Sequence, residues 1–405
     1  MNCGLLGRHL THSYSPQIHS QLGTYGYDIF EVEPDALGSF LKQKDFDGLN
    51  VTIPYKKDVI PYCDTLSPQA QKLGAVNTIV KTNDGRLIGH NTDYYGFSAM
   101  LTASGLNVGG KKVLVLGSGG ASATVTAVLK EKNAKAVIIS RSGENHYENL
   151  DLHSDAAVIV NCTPVGMYPH NGTSPIDLSL FPNLEGVLDL IYNPARTALL
   201  LAAEKRGIVA QNGLYMLVAQ AKESAEWFTG TKIPDSKITD IYRCLKVNME
   251  NIVLIGMPGC GKSTIGKLLA KMCGRELVDT DSLIVEKAGK SIPEIFASCG
   301  EDGFRRLETE VLSEVAKHSN LVIATGGGCV TRPENYSLLH QNSRIIWLKR
   351  DISLLPTDGR PLSQAQRLEE MYKARAPLYE AFSDMTVDNC DAPETTLNSI
   401  LGGLK

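Results

Sequence analysis

The stretch NIVLIGMPGCGKST, Asn251 to Thr264, constrains this chain more than any other. A short apolar run passes directly into Gly256-x-x-x-x-Gly261-Lys262-Ser263 and then into a helical run. In that context the loop's backbone N–H groups and the positive helix end cradle phosphate oxygens. The candidate ATP contacts are Gly259, Cys260, Gly261, Lys262, Ser263 and Thr264. Lys262 reaches the β/γ-phosphates, and the Ser263 hydroxyl is placed to ligate Mg²⁺. A second loop, VLVLGSGGAS, Val113 to Ser122, stands in the same strand–turn–helix setting. Its Gly117-Ser118-Gly119-Gly120-Ala121 core departs from G-x-G-x-x-G because the third small residue is displaced. Two such loops, with different spacings, call for two α/β domains.

The length of 405 residues agrees, because single cores stop growing near about 250–300 residues. Apolar residues make up 43% and charged residues 21%, the balance of an ordinary soluble protein. The net charge is −4 and no Lys/Arg block occurs, which argues against nucleic acid and anionic membranes as partners. The N-terminus lacks a signal-peptide pattern, and nowhere do about 18 apolar residues run together. The nine cysteines stand singly, with no Cys-x-x-Cys pair. Free thiols in a reducing, cytoplasmic setting are the expectation.

Short apolar runs ending in small or polar residues recur along the chain: KVLVLGS, AVIIS, AAVIVNCT and GVLDLIY, then NIVLIGM, LVIATGGG and RIIWLKR. They alternate with helical stretches, as in α/β folds built on parallel sheets. ITDIYRCLKV predicts a closing helix just before Asn251, and no Gly/Ser- or Pro-rich linker intervenes.

After the phosphate loop comes LVDTDSLI, where Asp279 and Asp281 are two apart at an expected strand end. Their carboxylates then share a face, one to hold Mg²⁺ and one to meet an acceptor hydroxyl. In GEDGFRRLETEVL, Arg305 and Glu308 share a helix face; taken alone, the pair predicts an exposed ion pair. Gly326, Gly327 and Gly328 end a strand and let backbone approach a ligand closely. These pieces, with GMPGCGKSTIGKLLA, SIPEIFASCGEDGFRRLE, GGGCV, RPL and RAPLY, stand in the order of shikimate kinase, which residues from about 250 to 405 resemble. The resemblance implies that Asp281 orients the acceptor hydroxyl and that Arg305, Arg375 and the Gly326–Gly328 backbone hold shikimate. It places Arg360 in the lid over the phosphates. Paired guanidiniums suit one carboxylate. DISLLPTDGRPL lacks the adenine-stacking arginine the family usually carries before the lid arginine, and its lid is shorter.

The first half resembles shikimate dehydrogenase over residues 1 to about 245. SYSP, NVTIPYK, GAVNT, NTDYYG, GSGGAS, NCTPVGM and LYMLVAQA occur in that family's order. The implied substrate set is Ser13, Ser15, Thr52, Asn77, Tyr192 and Gln220, with Lys56 and Asp93 as the proton-handling pair. An ammonium near its ordinary pKa of about 10.4 is a poor acid at neutral pH, so its surroundings must matter. The implied cofactor loop is Gly117–Ala121, with Gly213 ahead of LYMLVAQA. The second strand of that lobe ends in Ser140-Arg141-Ser142. A basic residue there, where NAD-binding folds place an acid, favours the 2′-phosphate of NADP. Asn145 occupies a position where this family commonly has a second basic residue.

The expected architecture is therefore a two-lobed dehydrogenase over 1–248, followed by a P-loop kinase with a parallel sheet over 249–405. The substrate lobe spans about 1–100 and 216–248, and the Rossmann-like NADP lobe about 101–215. The implied reactions are NADPH-dependent reduction of 3-dehydroshikimate and phosphorylation of the resulting shikimate by Mg·ATP. Two alternatives stay open at this point. One is a quinate/shikimate dehydrogenase with a weak kinase half; the other is a shikimate or nucleotide sensor without turnover. Nothing in the sequence fixes the oligomeric state.

Overall fold

A computed structural model describes residues 1–10, 13–355 and 368–404. The chain folds as two compact units. The first comprises 1–165, 174–192 and 202–244, and the second 166–173, 193–201 and 245–405.

In the first unit, strands β1 (Asn2–Gly7), β2 (Gly26–Glu31), β3 (Gly48–Val51), β4 (Thr65–Leu66), β5 (Thr78–Lys81) and β6 (Leu87–His90) form one sheet. Its order is β2-β1-β3-β5-β6-β4. The β3–β5 and β5–β6 pairings are antiparallel and the rest parallel. Helices α1 (Ser15–His19), α2 (Leu37–Gln43) and α3 (Pro68–Leu73) intervene between these strands, and α4 (Asp93–Ala103) follows. The start of α3 illustrates the local logic. Ser67 accepts from Ala70 N, Pro68 needs no donor at the first position, and left-handed Gly74 ends the helix.

A second sheet is parallel throughout, in the order β11-β10-β9-β7-β8. Its strands are β7 (Lys112–Leu116), β8 (Lys135–Ile139), β9 (Val158–Asn161), β10 (Gly186–Asp189) and β11 (Val209–Gln211). Helix α5 (Gly120–Glu131) leaves the end of β7. It is followed in turn by α6 (Ala198–Lys205), α7 (Leu214–Thr229) and α8 (Ser236–Met249), the closing helix read from ITDIYRCLKV. Val113, Val115, Val158 and Val160 are fully buried, which is why these strands read as unbroken apolar runs.

The second unit carries β12 (Asn251–Ile255), β13 (Glu276–Asp279), β14 (Leu321–Ala324), β15 (Ser343–Lys349) and β16 (Met385–Asp388), all parallel. Their order is β13-β14-β12-β15-β16. The helices here are α9 (Lys262–Cys273), α10 (Thr280–Ala288), α11 (Ile292–Val315, kinked at Gly300), α12 (Glu334–His340), α13 (Leu368–Phe382) and α14 (Pro393–Leu404). In both parallel sheets the first strand lies inside the sheet, between neighbours reached by opposite windings. Its carboxyl end opens the crevice where such folds bind ligands, and both glycine loops sit there. Segments 166–173 and 193–201 complete the second unit. The Tyr168 hydroxyl donates to Ala316 O at 2.6 Å, Asn171 Nδ2 to Gln341 Oε1 at 2.6 Å, and Arg196 N to Gln341 O at 2.8 Å.

Candidate active sites

The loop after β12 takes its shape from three glycines with positive φ, Gly256 (143°), Gly259 (83°) and Gly261 (98°). L side chains rarely adopt such angles. Lys262 is buried and folds back over the loop, donating to Gly256 O at 2.8 Å and Met257 O at 3.0 Å. Cys260 is buried beneath it, and its carbonyl accepts from Asn389 Nδ2 at 2.6 Å. The loop is thus held from below while Gly259, Lys262, Ser263 and Thr264 line an open cavity of about 650 Å³.

The other end of that cavity holds Asp281, Arg305, Glu308, Gly326–Gly328 and Arg375. Asp279 and Asp281 arrive there by a route that differs from the strand-end expectation. Strand β13 ends at Asp279, and Asp281 already lies in the first turn of α10. Asp279 ties two elements together. One oxygen caps α10 by accepting from Asp281 N (3.1 Å) and Ser282 N (3.3 Å), and the other accepts from Ser263 Oγ at 2.8 Å. Burial and the neighbouring Asp279 push the Asp281 carboxyl above the usual range, against the pull of Lys262 and Arg305. Its Oδ1 is buried without a hydrogen bond.

The Arg305–Glu308 pair is not the exposed ion pair its spacing suggested. Arg305 is 5% exposed and Glu308 fully buried, with Nη1–Oε2 at 2.8 Å. Spacing fixes the shared face but not what covers it, and here the covering group is the glycine run. A Cβ on Gly328 would lie 2.0 Å from Arg305 Nη2, and one on Gly326 would lie 2.6 Å from Glu308 Oε1 and 2.8 Å from Asp281 Oδ1. The glycines therefore admit the site's own side chains as much as any ligand. Arg375 donates to Gly327 O at 3.3 Å, and the Tyr379 hydroxyl donates to the same carbonyl, a tie the sequence reading missed. Arg360 lies outside the described residues.

In the first unit, Lys56 Nζ donates to Asp93 Oδ2 at 2.6 Å. Lys56 lies in the turn after β3, and Asp93 opens α4. Beside them, Asn77 is buried and clamps Thr92, accepting from Thr92 N at 2.7 Å and donating Nδ2 to Thr92 Oγ1 at 3.1 Å. Thr92 also reaches Gln220 Oε1 at 3.5 Å. Ser224 of α7 gathers three polar groups, Asn50 Nδ2 at 2.8 Å, Thr78 Oγ1 at 2.9 Å and Thr92 Oγ1 at 3.0 Å. Sequence reading missed this hub because its partners are as much as 174 residues apart. Ser13 Oγ accepts from Ser15 N at 3.2 Å, while Thr52 N pairs with Leu6 O. Tyr192 meets the Tyr14 ring edge-on, 6.2 Å between centroids.

The loop after β7 is open where a dinucleotide would lie. No described atom stands within 4 Å of a Cβ built on Gly119 or Gly120, whereas one on Gly117 (φ 102°) would meet Thr163 Cγ2 at 3.0 Å. Ser118 and Ala121 flank these positions, and Gly119 N-caps α5. Arg141 is exposed just past β8, in a turn closed by Ser140 N→Asn145 O at 3.1 Å. The Asn145 amide oxygen is engaged by His153 at 3.0 Å. Gly213 is required by packing: a Cβ there would lie 2.1 Å from Leu190 O.

Comparison with known proteins gives this geometry a family. Residues 258–405 match shikimate kinase, and residues 5–79 match the shikimate dehydrogenase substrate binding domain. A shikimate dehydrogenase (NADP(+)) of Clostridium perfringens is 35% identical over an alignment of 265 positions that covers 60% of this chain and 97% of that relative. A chorismate mutase/shikimate 5-dehydrogenase fusion protein from Clostridium acetobutylicum superposes with a TM-score of 0.57 at 37% identity, over 60% of this chain and 96% of that one. Shikimate 5-dehydrogenase from Thermus thermophilus, solved in complex with NADP(H) and shikimate, gives 0.55 at 31% identity over 60% and 98%. The chain belongs to the shikimate dehydrogenase family and carries a shikimate kinase domain behind it, which makes it a bifunctional enzyme of the shikimate pathway.

Proposed function

We propose that residues 1–248 reduce 3-dehydroshikimate to shikimate with NADPH, and that residues 249–405 transfer phosphate from Mg·ATP to the shikimate 3-hydroxyl. The observation that carries the kinase assignment is the continuous cavity running from the phosphate loop to Asp281, Arg305 and Arg375. Arg305 and Arg375 bind the acceptor's carboxylate, and Asp281 orients its hydroxyl at the loop end where Lys262 waits. A carboxyl raised by burial is a better proton acceptor for that hydroxyl than an exposed one. The Ser263 hydroxyl and the Asp279 carboxylate, 2.8 Å apart, are an oxygen pair of the kind that holds Mg²⁺ together with substrate phosphates. When bound, that ion offsets the charge gathering on the phosphoryl oxygens.

For the dehydrogenase, support comes from the Lys56–Asp93 contact and from the open glycine loop after β7. Lys56 presents its ammonium to the carbonyl oxygen of the substrate, where negative charge develops, and Asp93 fixes its direction. Ser13, Ser15, Thr52, Asn77, Tyr192 and Gln220 bind the ring hydroxyls and carboxylate. NADPH, when bound on Gly117–Ala121 with Arg141 at its 2′-phosphate, supplies the reducing equivalent. No described helix is long and apolar enough to cross a membrane. All nine cysteines are free, which supports a reducing, cytoplasmic setting.

Incubation with 3-dehydroshikimate, NADPH and ATP should give shikimate 3-phosphate. Lys56→Ala should lower reduction by about 10²–10⁴-fold, the usual weight of a proton-handling group, and leave phosphorylation of added shikimate intact. Lys262→Ala should do the opposite. Oxidation of quinate but not formation of shikimate from 3-dehydroshikimate would overturn the first assignment, and absence of the phosphoester would overturn the second.

A further inference from the structure

The kinase sheet has a directional logic that bears on the nucleotide. β12, which ends in the phosphate loop, has β14 on one side and β15 on the other. The acceptor groups Asp281 and Gly326–Gly328 all come from the β13/β14 side. A nucleotide whose terminal phosphate faces that acceptor must extend its base and ribose toward β15 and β16. On that side a second cavity of about 340 Å³ opens, lined by Arg350, Asp351, Tyr372, Asp388 and Cys390 among others.

Arg350 is the first residue past β15. A Cβ on Gly261 would lie 3.8 Å from its Nη1, so the guanidinium stands against the outer wall of the phosphate loop. Its Nε is buried without a hydrogen-bond partner. The neighbouring polar groups are engaged elsewhere. The Asp351 carboxylate accepts from Ser353 N (2.8 Å) and Ser353 Oγ (2.7 Å). Asn389 is held between Cys260 O and Thr396 Oγ1. Lys349 lies over the Trp347 ring, 5.8 Å from its centroid. Asp351 to Leu362 contains no arginine except Arg360.

We propose that Arg350 is the base-side cation of the ATP site, stacking its planar guanidinium on the purine from the strand end. This rests on the kinase assignment above. Planarity matters here, because an ammonium cannot stack on a ring in the same way. The residue would set nucleotide affinity without touching shikimate or the transferred phosphate.

The test uses the full chain with Arg350→Ala and Arg350→Lys, and reads ADP binding, inhibition by inorganic tripolyphosphate, and the KM values for ATP and shikimate. Dehydrogenase turnover and the melting curve check that the variants are folded. Arg350→Ala should weaken ADP binding about tenfold, the size of a desolvated cation–π contact, and raise the KM for ATP in step. Arg350→Lys should recover little. Tripolyphosphate inhibition and the KM for shikimate should not move. Unchanged ADP binding in a folded Arg350→Ala variant would overturn the proposal. A parallel loss of tripolyphosphate inhibition, or full rescue by lysine, would also overturn it, because either makes Arg350 a simple charge contact. If the parent chain binds ADP but forms no shikimate 3-phosphate, the kinase assignment fails while ADP binding still reads Arg350.

Discussion

Gly328 has no room for a β-carbon, because Arg305 Nη2 would be 2.0 Å away. That arginine cannot simply swing aside: it is buried and paired with Glu308 at 2.8 Å and Glu301 at 3.2 Å. Gly328→Ala should therefore raise the KM for shikimate by about tenfold or more, the scale of one disturbed charge-assisted contact. Steady-state assays of both activities check it, since dehydrogenase turnover should be unchanged. At this scale the sequence was most legible where a motif states its chemistry, as in Gly256–Ser263. It was least legible where burial decides. The i, i+3 spacing of Arg305 and Glu308 reads the same on a wet face and a dry one. Asp281 likewise lies on a helix rather than a strand, because Asp279 caps that helix and ends the strand two residues earlier than the pattern implied.

Elements built from apolar runs were readable, since a strand buried on both faces in a parallel sheet shows as an uninterrupted run. The antiparallel β5–β6 pair left no such mark, and neither did the polar hub that joins β3, β5, α4 and α7 through Ser224. The packing of α7 also sets an acid limit on the first unit. His90, at the end of β6, stacks on Trp227 of α7 with centroids 3.8 Å apart, and burial lowers its pKa from 6.5 to about 4. His19 of α1 stacks on Tyr27, and burial lowers it to about 3. Between about pH 4 and 6.5 the unfolded chain binds these protons and the folded one does not. Stability therefore rises with pH through that window and is lost as pH falls. For His90 alone, going from pH 7 to pH 5 should remove about 2 kcal/mol. Denaturant titrations in a Trp347→Phe background, followed by Trp227 fluorescence, check this: His90→Phe keeps the stacked ring and should flatten the decline, and an equal decline in that variant would exclude His90 as its source.

On the scale of the molecule, the two activities were legible because each half carries most of its family's motifs in order. What the sequence did not announce is that segments 166–173 and 193–201 fold with the second unit. Tyr168, Asn171 and Arg196 contact carbonyl and amide groups of residues 316 and 340–341, around the ends of α11 and α12. A fragment of residues 249–405 should therefore be less stable to heat than the same unit in the full chain. Scanning calorimetry of fragment and full chain decides it; equal transition temperatures would show that these segments contribute nothing. For anyone cutting this gene, the arrangement has a practical meaning. The coding sequence has a simple junction near codon 248, yet the folded kinase has no single severable stem. Transplanting it into another polypeptide means carrying along two short inserts whose codons lie inside the upstream enzyme.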